Sequence, residues 1–102
     1  MKVVKLSHPN YEYDVHSLVK AFYAEEQVTV ITPETKPEKL AELEPQASLE
    51  IELGETGAKI RVGEETFLWD AETENLADGY KNGLKRFLYR TLSKVTGQEL
   101  PW

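Results

Sequence analysis

The chain contains no cysteine. That one absence removes disulfide staples, thiolate zinc sites, iron-sulfur ligation and thiol nucleophiles, and it fits a reducing compartment. The sequence also lacks any apolar run near the roughly 18 residues that a membrane helix needs. Its first residues, Met1-Lys2-Val3-Val4-Lys5-Leu6 and then Ser7-His8-Pro9-Asn10, hold no stretch resembling the apolar core of a secretory leader. A soluble cytoplasmic protein is therefore expected. Internal repeats and low-complexity segments are missing too. Positive charge is scarce, since 12 Lys and Arg face 18 Asp and Glu, for a formal charge of -6. The deficit is concentrated in residues 24–73, with 13 acidic and 4 basic side chains, while residues 74–102 carry 5 basic and 3 acidic. Binding of a phosphate backbone over the whole surface is disfavoured by that balance.

What remains is an ordinary globular composition, 102 residues with 40% hydrophobic and 29% charged. That length is enough for one compact domain with a small core and too short for two domains, so residues 1–102 are expected to form a single domain. The segment from Thr32 to Lys39, continuing through Glu44-Pro45-Gln46, carries Pro33, Pro37 and Pro45 among alternating charges. It reads as a long solvated loop in which residues 38–43 could hold one helical turn.

Periodicity places the other elements. Val4 and Leu6 alternate with Val3 and Lys5 in a strand over residues 2–7. Asp14 offers a side-chain acceptor to free amides, and Val15, Leu18, Val19 and Phe22 recur at helical spacing over 15–23. Residues 27–32 are β-branched and form a second strand, with Val28 and Val30 on one face and Ile31 on the other. The strongest pattern follows, where Leu49, Ile51 and Leu53 alternate with acids, and Ala58, Ile60 and Val62 alternate with Lys59 and Arg61. A turn at Gly54-Glu55-Thr56-Gly57 sets Leu53 opposite Ala58, Ile51 opposite Ile60, Glu52 opposite Lys59 and Glu50 opposite Arg61. A one-residue slip would turn the whole apolar set to water. Gly63-Glu64 fits a two-residue turn, returning Thr66 to Trp69 as a strand with Phe67 and Trp69 facing the core. A final helix runs over residues 75–95, with Leu76, Tyr80, Leu84, Phe87, Leu88, Thr91 and Val95 on one face. Gly97 caps it in the left-handed conformation and Pro101 forbids continuation. Acids and amides from Asp70 to Asn75 and cations from Lys85 to Lys94 suit its dipole. The sum is an α+β two-layer sandwich, strand-helix-strand-strand-strand-helix, with a mostly antiparallel sheet and two helices on one face.

Residue chemistry yields no catalytic or ligand-binding constellation. His8 and His16, with Glu12 and Asp14 between them, do not have the spacing of a helical metal pair, and exposed histidines are expected. Gly54-Glu55-Thr56-Gly57-Ala58-Lys59 has two residues between its glycines where a phosphate loop has four, and a strand follows it where a phosphate loop opens a helix. The acidic pairs Glu25 with Glu26, Glu50 with Glu52 and Glu64 with Glu65 sit at turns or on polar strand faces, with nothing to desolvate them. Lys81, Lys85, Arg86, Arg90 and Lys94 form one basic cluster with Tyr89 on its polar side. Such a cluster serves a solvated helix face, nucleic acid, or an acidic neighbouring domain.

Two stretches carry a resemblance. Residues 79–92, from Gly79-Tyr80-Lys81-Asn82-Gly83 to Thr91-Leu92, together with Gly97-Gln98-Glu99-Leu100-Pro101-Trp102, resemble the end of the N-terminal region of oxygen-independent coproporphyrinogen III oxidase-like proteins, the coproporphyrinogen dehydrogenases. Tyr11-Glu12-Tyr13-Asp14, with Leu18, Lys20, Ala21, Phe22, Tyr23 and Glu25-Glu26, resembles its beginning. The likeness covers the ends of the chain and little of the middle. It implies a non-catalytic accessory domain ahead of a radical S-adenosylmethionine barrel of haem biosynthesis. In the family, a three-cysteine motif in that barrel holds a 4Fe-4S cluster and the barrel oxidatively decarboxylates porphyrinogen propionates. Neither cofactor can be carried onto this cysteine-free chain. The apolar ending after the last helix looks like a boundary beyond which the chain continues. Leu100, Pro101 and Trp102 are accordingly expected to contact the downstream barrel, as an apolar terminus with no partner in this stretch. The alternative is an independent small adaptor or nucleic-acid-binding protein ending at Trp102.

Overall fold

The computed structural model describes residues 1–70 and 79–101. Strands β1 (Lys2–Leu6), β2 (Val28–Ile31), β3 (Ala47–Leu53), β4 (Gly57–Val62) and β5 (Glu65–Asp70) form one sheet in the order β2-β1-β3-β4-β5. Helices α1 (Glu12–Phe22), α2 (Pro37–Leu43) and α3 (Gly79–Thr96) complete an α+β fold, with a 3-10 turn at Glu44–Gln46.

Strand β1, which lies between β2 and β3, explains the architecture. Val3 and Val4 are adjacent in β1, so their side chains leave opposite faces of the sheet, yet both are 0% exposed. Both faces must therefore be covered. Val4 and Leu6 join the main core with Val15, Val19 and Phe22 of α1 and Leu84, Phe87, Leu88 and Leu92 of α3. Val3 belongs to a second, smaller core with Ile31 of β2 and Leu43 of α2, against which Leu40 and Ala47 pack.

The sheet is mixed, not mostly antiparallel. β1 runs parallel to β2, from Lys2 opposite Val28 to Lys5 opposite Ile31, and parallel to β3, from Val3 opposite Ala47 to Leu6 opposite Ile51 with an irregularity after Val3. Parallel neighbours need crossover connections. α1 supplies the first and the Pro-rich segment the second, so a third helix enters the expected element order. Prolines suggested a loop there, but Pro37 occupies the first turn of α2, where its missing N–H costs nothing and its fixed φ suits a helix.

The antiparallel half follows the expected register pair by pair. Leu53 faces Ala58, Glu52 faces Lys59, Ile51 faces Ile60 and Glu50 faces Arg61 across β3 and β4. Ala58 faces Trp69 and Ile60 faces Phe67 across β4 and β5. Gly57 is irreplaceable in this arrangement, because a Cβ built on it would lie 2.2 Å from the Trp69 carbonyl oxygen.

Helix α1 starts before Asp14. Its N-cap is Tyr11, held at φ 68 with no side-chain cap, and Asp14 lies inside the first turn, where acids favour the helix dipole. The expected first turn of the last helix, with Leu76, and its approach over residues 71–75 fall outside the described residues. Of the stripe expected on the remainder, Leu84, Phe87, Leu88 and Thr91 are buried and Tyr80 and Val95 half-buried, and Leu92, outside that stripe, is buried as well.

Candidate interdomain surface

The segment after α3 is tied down at Gly97, Gln98 and Leu100. Gly97 adopts φ 72, a conformation that glycine enters without Cβ strain, and its N–H bonds the Ser93 carbonyl at 2.9 Å. The Gln98 backbone N–H donates to Thr96 Oγ1 at 3.2 Å, and its side-chain Nε2 donates to the Phe22 carbonyl at 3.2 Å. Leu100 packs half-buried against the main core and its carbonyl accepts a hydrogen bond from the Tyr89 hydroxyl. Leu100 thus has a partner within this domain. Pro101 is exposed beyond it, and Trp102 lies outside the described residues.

Tyr89 and Gln98 were missed by periodicity. Tyr89 falls among cations on the polar side of α3, yet its ring meets Phe22 edge-on at 5.5 Å between centroids. An aromatic body with a hydroxyl tip suits that half-buried site, and this amphipathic chemistry was the available signal. Gln98 offered none, since its acceptor is 76 residues away in sequence. A recess of about 520 Å³ lies beside this segment, lined by Tyr89, Arg90, Ser93, Lys94, Gly97 and Glu99.

The basic cluster does not converge on one point. Lys81 and Lys85 approach Asp14 of α1 at 3.6 and 3.9 Å, and Lys94 lies 6.0 Å from the centre of the Phe67 ring. The histidines are apart in role as well as position. His16 Nε2 is 3.0 Å from the Val28 carbonyl, a geometry that requires its proton on that nitrogen, while His8 Nδ1 accepts the Asn10 N–H at 3.1 Å. Among the described residues no group of three or more His, Cys, Asp or Glu is placed to hold a metal ion.

Gly54 to Gly57 is a tight hairpin turn, closed by a Gly54 N–H to Gly57 carbonyl bond of 2.9 Å. The Tyr80 hydroxyl donates to that same carbonyl at 2.8 Å. Burial pushes the Tyr80 phenol above its ordinary value of 10.0, and nearby Tyr11 adds to the shift. An open recess of about 550 Å³ lies here, lined by His8, Tyr11, Leu53 and Tyr80 among others. The paired acids Glu50 and Glu52 face Arg61 and Lys59 on the open side of the hairpin, as a solvated ladder of ion pairs.

No family model, curated protein or solved structure matches this chain. Among the described residues no helix is long and apolar enough to cross a membrane.

Proposed function

We propose that this chain is the non-catalytic N-terminal accessory domain of an oxygen-independent coproporphyrinogen III oxidase-like enzyme, cytoplasmic and joined to a downstream radical S-adenosylmethionine barrel. One observation carries the reading. The stretches that resemble that family lie at opposite ends of the sequence, and in three dimensions they make one continuous layer. Tyr11 meets Tyr80 at 5.9 Å between ring centroids, Asp14 meets Lys81 and Lys85, Phe22 meets Tyr89, and Gln98 bonds the Phe22 carbonyl. Residues that act together in space give a resemblance at both ends more weight than either end has alone. The poorly matching middle supplies most of the sheet behind them.

The cluster and S-adenosylmethionine of that chemistry would belong to the barrel. A domain without cysteine has no thiolate to offer such a cluster, so its contribution is to pack on the barrel, shape access to it or assist assembly. The pairing of Lys81 and Lys85 with Asp14 takes support from the nucleic-acid alternative. The gene beyond codon 102 gives the test. A continuing frame with a three-cysteine motif is expected, and a stop codon there would overturn the reading.

A further inference from the structure

We propose that the segment Gly97 to Leu100 is a positioning strap: it fixes the direction in which the chain leaves the domain, so that the following catalytic portion moves as one body with α1 and α3. This role rests on the enzyme parentage proposed above. Residues just past a terminal helix are ordinarily loose unless something holds them. Here the holding points are specific and converge on one residue, Phe22, at the end of α1. Its carbonyl, one of the last-turn acceptors that α1 cannot satisfy internally, takes the Gln98 side-chain bond at 3.2 Å. Its ring supports Tyr89 at 5.5 Å, and the hydroxyl of Tyr89 bonds the Leu100 carbonyl. The strap is therefore fastened to both helices at once, with Leu100 packed half-buried against the core they share. Pro101 follows immediately and restricts the backbone of Leu100 before it. A flexible tether would call for small polar residues and no long-range bonds.

The test compares the full-length polypeptide with its Tyr89→Phe/Gln98→Ala double variant, by hydrogen exchange of amides 98–100 and by small-angle X-ray scattering. The expected result is exchange at least roughly tenfold faster, the change that losing two hydrogen bonds produces. Scattering should pass from that of one rigid particle to that of two bodies with a spread of separations. Gln98→Ala alone, at an exposed position, keeps the test readable if Tyr89→Phe weakens the core. Unchanged exchange would show that these bonds do not hold the strap. Faster exchange with unchanged scattering in a continuing chain would overturn the positioning role alone. A stop codon directly after Trp102 would remove the parentage and the positioning role together.

Discussion

Strands β3, β4 and β5 are joined by turns of three residues or fewer, whereas β1, β2 and β3 are joined by segments that each carry a helix. The antiparallel half has one face in the main core and one face in water, bearing Glu50, Glu52, Lys59, Arg61 and Leu68, the last 76% exposed. The parallel half is enclosed above and below, and it divides its apolar residues between two cores of unequal size. Strands covered on both sides lose their alternation and need distant partners, while a one-sided hairpin carries its register in local sequence. The half that is easiest to recognise is thus the one made of nearest neighbours.

The sharpest contrast between the cores comes from truncating one isoleucine in each. Ile60→Ala, at a position 0% exposed in the main core, is expected to cost about 2–5 kcal/mol in denaturant unfolding. Ile31→Ala in the small core should fall at the lower end of that range, about 2 kcal/mol, because fewer neighbours surround the void. Equal costs would break the distinction between a major and a minor core. Next comes Gly57→Ala, which forces β4 away from β5 and should destabilise the antiparallel half by about 1–3 kcal/mol. The loss should appear as faster amide exchange in β5 before any change in β1 or β2.

Tyr80→Phe tests the link between α3 and the hairpin, and should cost about 0.5–1.5 kcal/mol through its bond to the Gly57 carbonyl. The same residue predicts a pH effect. The folded phenol titrates above its ordinary value, so its unfolded counterpart loses its proton first as pH rises. Stability from this group is therefore complete below about pH 10 and declines as pH climbs towards the folded value. Tyr80→Phe should flatten that alkaline decline in a pH series of thermal melts. The smallest effect belongs to Glu52→Ala, which breaks an exposed 3.3 Å pair with Lys59 and should change stability by less than about 1 kcal/mol.

Sequence legibility followed the same division. Every expected hairpin pair is present because alternation, turn length and charge all pointed to one register. The direction of β1 was hidden, since an isolated apolar strand carries no mark of whether its partners run with it or against it. Pro37 concealed α2, for the feature that breaks a helix interior also opens one. Asp14 drew attention as a cap because capping residues and first-turn acids are the same residue types, and only the backbone turn at Tyr11 separates the two. Of the candidate surface, Gly97 and Pro101 were readable from local rules. The bonds made by Tyr89 and Gln98 depend on where α1 ends, which no local pattern records.

The interior place of β1, between β2 and β3, also constrains how the protein is born. On a translating ribosome this strand emerges ahead of both strands that must flank it, and α3, which seals the main core, is finished only at Thr96. Val3 is covered once β2 and α2 have emerged, but Val4 stays only partly covered in the nascent chain until α3 has left the exit tunnel, so the main core closes long after its first strand is made.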